Sequence, residues 1–134
     1  MAATHKPKYF FLAFGESYAG KHSVDGGVYP HRKGFVGSSE ISAGDVMLLY
    51  CCADYPEYDQ EAPGIGVVTS IDTIQDIIYY QYFPLDNPID WDIIKASIPE
   101  LKGNTNFSLT GNWLREISNK SFRAAMANRQ ISWQ

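Results

Sequence analysis

The sequence holds little with which to do covalent chemistry. Its two cysteines, Cys51 and Cys52, are adjacent, and sequence neighbours cannot easily close a structural disulfide. No CxxC pair and no Cys/His cluster accompanies them, so the usual zinc spacings are missing. The pair reads as two small apolar residues of a core strand. Histidine occurs three times, as His5, His22 and His31. No GxSxG, HExxH, P-loop or dinucleotide fingerprint is present. Gly64-Ile65-Gly66 lacks the third glycine and the opening helix that a nucleotide motif requires. Asp90 and Asp92 stand at a predicted helix start, where capping and the helix dipole account for acids. Nothing in the sequence argues for an enzyme, a cofactor or a metal. Long apolar runs are missing too: no stretch approaches the ~20 residues of a membrane span. The N-terminus carries no signal-peptide core, so the expected location is cytoplasmic, with no membrane partner. Positive charge is in short supply, with 11 Lys and Arg against 15 Asp and Glu for a net charge of −4. A nonspecific duplex binder is normally basic overall.

What is abundant is aromatic and apolar surface. Hydrophobic residues make up 45% of the 134 residues and aromatics 14%, including nine Tyr and seven Phe. A chain of this length makes one domain and buries about two-thirds of its unfolded surface without staples. Residues 1–7 read as a disordered lead-in and residues 8–134 as the domain. Its centre is 44–69, where two apolar runs, Val46–Cys52 and Gly64–Thr69, each follow turn formers. Short continuous runs of this kind predict strands buried on both faces, here as antiparallel neighbours. Between them an insert carries Tyr55, Pro56 and Tyr58 with the acids Asp54, Glu57, Asp59 and Glu61.

Along the rest of the chain, Lys8–Phe14 predicts a central strand, aromatic on both faces. Residues 15–44 are rich in Gly, Ser and His and predict loop with at most one short helical turn. So long an irregular segment between core strands is expected to build a site. Asp76–Phe83 predicts a strand stopped by Pro84, and 90–97 a short helix capped by Asn87 or Asp90 and limited by Pro99. Phe107–Thr110 and Trp113–Ile117 flank Gly111-Asn112, a hairpin signal. Ser118 is placed to cap a last helix over 119–127 with Phe122, Ala125 and Met126 as its apolar stripe. Strands outnumber helices. The class is α+β: a small β-barrel of five or six mostly antiparallel strands with short helices at the rim.

Charge is unevenly spread. Residues 54–100 hold ten acids against Lys95 alone, whereas Lys6, Lys8, Lys21, Arg32 and Lys33 near the start, and Arg115, Lys120, Arg123 and Arg129 near the end, are basic. Tyr29, Phe35, Tyr50, Tyr55, Tyr58 and Trp113 fall at predicted loops and strand ends. Aromatic faces stack on nucleobases for about 1–3 kcal/mol per base, and a flipped base also needs partners for its edge. Ser17, His31, Asn112 and Arg115 are the candidates for that edge, and Lys21, Arg32 and Lys33 for phosphates. The reading requires Tyr29, Tyr50 and Trp113 to line one shared cavity.

The order of these motifs is familiar. Tyr9–Leu12 followed by Glu16-Ser17 is similar to the opening of EVE domains, members of the PUA-like superfamily related to YTH domains. Gly27-Val28-Tyr29 resembles the Gly-Val-Trp that starts their pocket loop, with Tyr for Trp. Gly44-Asp45-Val46 through Leu49-Tyr50 resembles their Gly-Asp-x-x-x-x-Tyr strand. Pro63-Gly64-Ile65-Gly66-Val67-Val68 resembles a shortened form of their Pro-Pro-Gly-Ile strand, and Phe107–Met126 their closing hairpin and last helix. The resemblance implies a PUA-like pseudo-barrel that holds a modified or flipped base of DNA or RNA between aromatic side chains. It implies no catalysis, and leaves any nuclease or other effector to act in trans. It gives Tyr29 the role of stacker, with Tyr50 at the end of a strand reaching the pocket and Asn112 to Arg115 close by. Two other functions remain open: a nucleotide or small-molecule sensor using the same pocket, and a protein-interaction module docking through the acidic insert 54–61.

Overall fold

The computed structural model describes residues 7–14, 24–30, 41–51, 60–99, 113–127 and 129–130. Six strands form one sheet: β1 (Tyr9–Phe14), β2 (Val28–Pro30), β3 (Val46–Cys51), β4 (Glu61–Asp72), β5 (Ile77–Asp90) and β6 (Trp113–Ile117). A 3-10 turn, Val24–Gly26, precedes β2, and two short helices, α1 (Trp91–Ser97) and α2 (Asn119–Ala125), follow β5 and β6. The strand order is β2-β5-β4-β3-β1-β6. The β1–β3 pair is parallel and the other four pairings are antiparallel.

β1 and β3 are apolar at every position because each buries both faces. Phe10, Leu12, Met47, Leu49 and Cys51 enter one core with Tyr29, Ile78 and Tyr80. Phe11, Ala13, Leu48 and Tyr50 enter the other with Ile65, Leu85 and Ile89. The helices cover this second face through Ile94, Phe122 and Ala125. The first face is the one toward which the sheet curls. β2 lies at one edge and β1 next to the other edge, yet the Tyr29 hydroxyl donates to the Ala13 carbonyl at 2.9 Å. That bond spans the mouth of the sheet and gives it the shape of a half-barrel.

Local chemistry explains the joints. Asp45 is buried, and its carboxylate accepts from Lys8 N at 3.0 Å and Ser42 N at 2.8 Å. The acid thus ties the start of β1 to the turn that launches β3. The glycines of 64–66 make room: a Cβ at Gly66 would stand 2.7 Å from the Tyr80 ring, and one at Gly64 would stand 2.6 Å from the Tyr82 ring. They are there because tyrosines of β5 lie across β4. Ser118 caps α2, its hydroxyl accepting from Ser121 N at 3.0 Å, and Phe122, Ala125 and Met126 form the inward stripe as expected.

Several expectations need correction. The sheet is mostly antiparallel as expected, but its β1–β3 pair is parallel, which the long connection between these strands permits. That connection also holds β2, whose three residues are too few for a periodic signal. β4 starts at Glu61 and runs to Asp72, so the insert is shorter than its composition suggests. β5 does not stop at Pro84 but continues through Pro88 to Asp90. The ladder jumps from Gly64–Pro84 to Ala62–Ile89, and a proline costs no ladder bond at such a bulge. Asp90 occupies the N-cap of α1 without a side-chain cap bond, and Asn87 lies within β5. β6 pairs with β1; the 107–110 half of the predicted hairpin lies outside the described residues, as do positions 1–6 of the lead-in.

Candidate functional site

The register places one end of every long strand together. Ala13 faces Tyr50 in the β1–β3 pair and Trp113 in the β1–β6 pair. Cys51 faces Glu61, and Glu61 faces Asp90, which leads into Trp91.

Here the helix-covered core ends in a stack of mutually tilted aromatic rings. The Phe11 and Tyr50 rings lie 5.5 Å apart at 31°, and Tyr50 and Trp91 lie 5.1 Å apart at 43°. Phe11 and Tyr50 are buried, whereas Trp91 is half-buried. A Trp91 backbone N–H to Gln60 carbonyl bond of 3.0 Å fixes the start of α1 against the start of β4. On the solvent side, Lys95 Nζ stands 5.9 Å from the Trp91 ring centroid, at the outer limit of a cation–π contact. It also stands 3.7 Å from Asp92. Arg115 is opposite Phe11 in the β1–β6 ladder, so its half-buried side chain projects from the face that carries the stack. The nearby charges are mixed: Glu61, Asp90 and Asp92 against Lys95 and Arg115.

Of the residues singled out in the sequence, the structure brings Tyr50 and Arg115 to this face. Tyr29 is elsewhere. Its ring is 0% exposed in the opposite core, and its hydroxyl is engaged by Ala13. The shared cavity expected for Tyr29 and Tyr50 is therefore not formed: strand alternation sends one to each face of the sheet. The backbone of Trp113 joins the same end as Tyr50. Ser17, Lys21, His31, Arg32, Lys33, Phe35 and Asn112 lie outside the described residues, as do Tyr55 and Tyr58. Trp91 was missed because its sequence context, Asp90-Trp91-Asp92, announces a helix start; only the tertiary neighbour Tyr50 reveals the ring as part of a stack.

A hollow of about 450 Å³ lies at the other end of β1, lined by Pro7, Lys8, Tyr9 and residues 116–119. Tyr9 is four residues from Ala13, roughly 13 Å along an extended strand, so this groove is not the aromatic end. Among the described residues no group of three His, Cys, Asp or Glu side chains could hold a metal ion. No helix among them is long and apolar enough to cross a membrane. No model of a known protein family matches the chain, and no curated protein matches it.

Proposed function

We propose that the chain is a non-catalytic nucleic-acid-binding domain of the EVE-like, PUA-like kind. With Tyr29 enclosed in the opposite core, the cavity it was expected to share with Tyr50 is given up, and in this reading a modified or flipped base of DNA or RNA is taken against the Tyr50–Trp91 end of the sheet instead. The observation that carries the reading is the Phe11–Tyr50–Trp91 stack, buried at one end and half-open at the other, where five strands deliver their ends. A planar guest laid on a ring already immobilised by stacking loses little of the host's side-chain entropy. Arg115, on the same face, is the described group suited to a base edge or a phosphate. The half-barrel with its parallel β1–β3 pair is compatible with the architecture that the motif order implies.

The charges favour a second reading beside it. Glu61, Asp90 and Asp92 border the stack, and like charge opposes a phosphate backbone. A free nucleoside or another small planar molecule meets no such repulsion. Parallel titrations decide. The full chain is titrated with methylated and unmodified oligonucleotides and with the corresponding free nucleosides, at low and at high salt. The nucleic-acid reading expects the methylated oligonucleotide to bind best, with affinity falling as salt rises. Binding of nucleosides alone selects the small-molecule reading. Binding of neither removes both.

A further inference from the structure

The β5 bulge raises an accounting question with a functional answer. Between Pro84 and Ile89 the strand spends four residues, Leu85 to Pro88, against the single Pro63 of β4. Backbone groups of such a bulge need partners other than the ladder. They find them in the C-terminal segment. Asp86 N donates to the Gln130 carbonyl at 2.9 Å, and Gln130 N returns a bond to the Asp86 carboxylate at 3.1 Å. The Arg129 guanidinium donates through Nε to the Asn87 carbonyl at 3.3 Å and through Nη2 to the Pro88 carbonyl at 3.1 Å. A third bond, to the Ala127 carbonyl at 3.4 Å, holds the guanidinium to its own segment.

Beyond the bulge only two ladder pairs remain, Ala62–Ile89 and Glu61–Asp90, before the chain turns into α1 at Trp91. The direction of that short piece depends on how the bulge is held. We infer that Arg129 and Gln130 form a strap that fixes the bulge and so positions Trp91 at the candidate site. Arg129 is a positioning residue in this scheme and touches no guest. A forked, planar donor suits the task because two successive carbonyls must be met at once. The strap makes residues more than 35 positions downstream part of the site's support.

The structural claim stands on its own; its consequence for binding rests on the proposed function. Amide hydrogen exchange on the full chain tests the claim in Arg129→Ala, Arg129→Lys and Arg123→Ala. Arg123 lies exposed on α2, so its loss controls for charge alone. Loss of charge-assisted bonds is expected to speed exchange at Asp86 and Trp91 about tenfold or more in Arg129→Ala. Arg129→Lys should fall between it and the parent, and Arg123→Ala should match the parent. The Leu48 and Leu49 amides in β3 should not change. Unchanged exchange at Trp91, or equal acceleration at Leu48, overturns the strap. If Arg129→Ala does not fold, the same comparison in Arg129→Lys decides. Where a nucleoside binds the parent, its Kd should rise in Arg129→Ala and not in Arg123→Ala; an unchanged Kd overturns the link to the site. A parent that binds no nucleoside or oligonucleotide removes the proposed function and leaves the exchange result standing.

Discussion

Tyr29 and Tyr50 are both buried tyrosines of short apolar strands, but their surroundings assign them opposite work. The Tyr29 ring is enclosed by the inner core and its hydroxyl is engaged by a carbonyl on the far side of the half-barrel. It stitches the edge strand β2 to β1 and offers a guest no face. Tyr50 lies on the other side of the sheet, in a stack that passes outward through Trp91. There an aromatic surface is rigid on one side and accessible on the other. A buried aromatic with an anchored polar end is evidence about stability. A stacked aromatic that reaches the surface is evidence about binding.

The sharpest way to break this comparison is Tyr29→Ala. Emptying the inner core should cost about 3–5 kcal/mol of stability, read by denaturant unfolding, as for other large aromatic truncations. If the variant instead keeps its stability and loses base binding, Tyr29 is a stacker after all. Tyr29→Phe keeps the ring and removes the hydroxyl's bond to the Ala13 carbonyl. A loss of about 1–3 kcal/mol is expected, with nucleoside affinity unchanged in calorimetric titration. For Trp91→Ala the order of effects reverses: affinity for a planar guest should fall by about 1–3 kcal/mol, while exchange protection in β1 and β3 stays intact. Ser118→Ala removes the α2 cap and should cost about 1 kcal/mol, lowering the unfolding midpoint without touching the stack. The smallest effect belongs to Lys95→Gln. Its ion pair with Asp92 is surface-exposed and should contribute under about 1 kcal/mol to stability. Any change in guest affinity for this variant measures the cation over Trp91 directly.

Much of the fold was legible because strand burial writes itself into composition. Both central strands, the β3–β4 pairing, the cap at Ser118 and the stripe of α2 follow from apolar runs bounded by turn formers. Pro84 misled because a proline ends a strand only where a neighbour needs the N–H it lacks, and Pro84 forms the last ladder pair before the β5 bulge. β2 escaped notice because its partner residues, Ile77 to Tyr79, are nearly fifty positions away. The site was less legible. Loops and strand ends single out Tyr29 and Tyr50 alike, and motif order adds a stacking role for Tyr29, but neither signal says to which face a side chain turns.

By itself, then, the sequence determined an α+β chain with doubly buried strands, rich in aromatics, because local apolar pattern and turn chemistry are properties of neighbouring residues. Which aromatics meet was decided only in three dimensions. The curl of the sheet, the crossing of Tyr29 to Ala13 and the bulge strapped by Arg129 each join residues 16 to 42 positions apart. Contacts of that range depend on register and on the face each side chain takes, neither of which is set by any one segment.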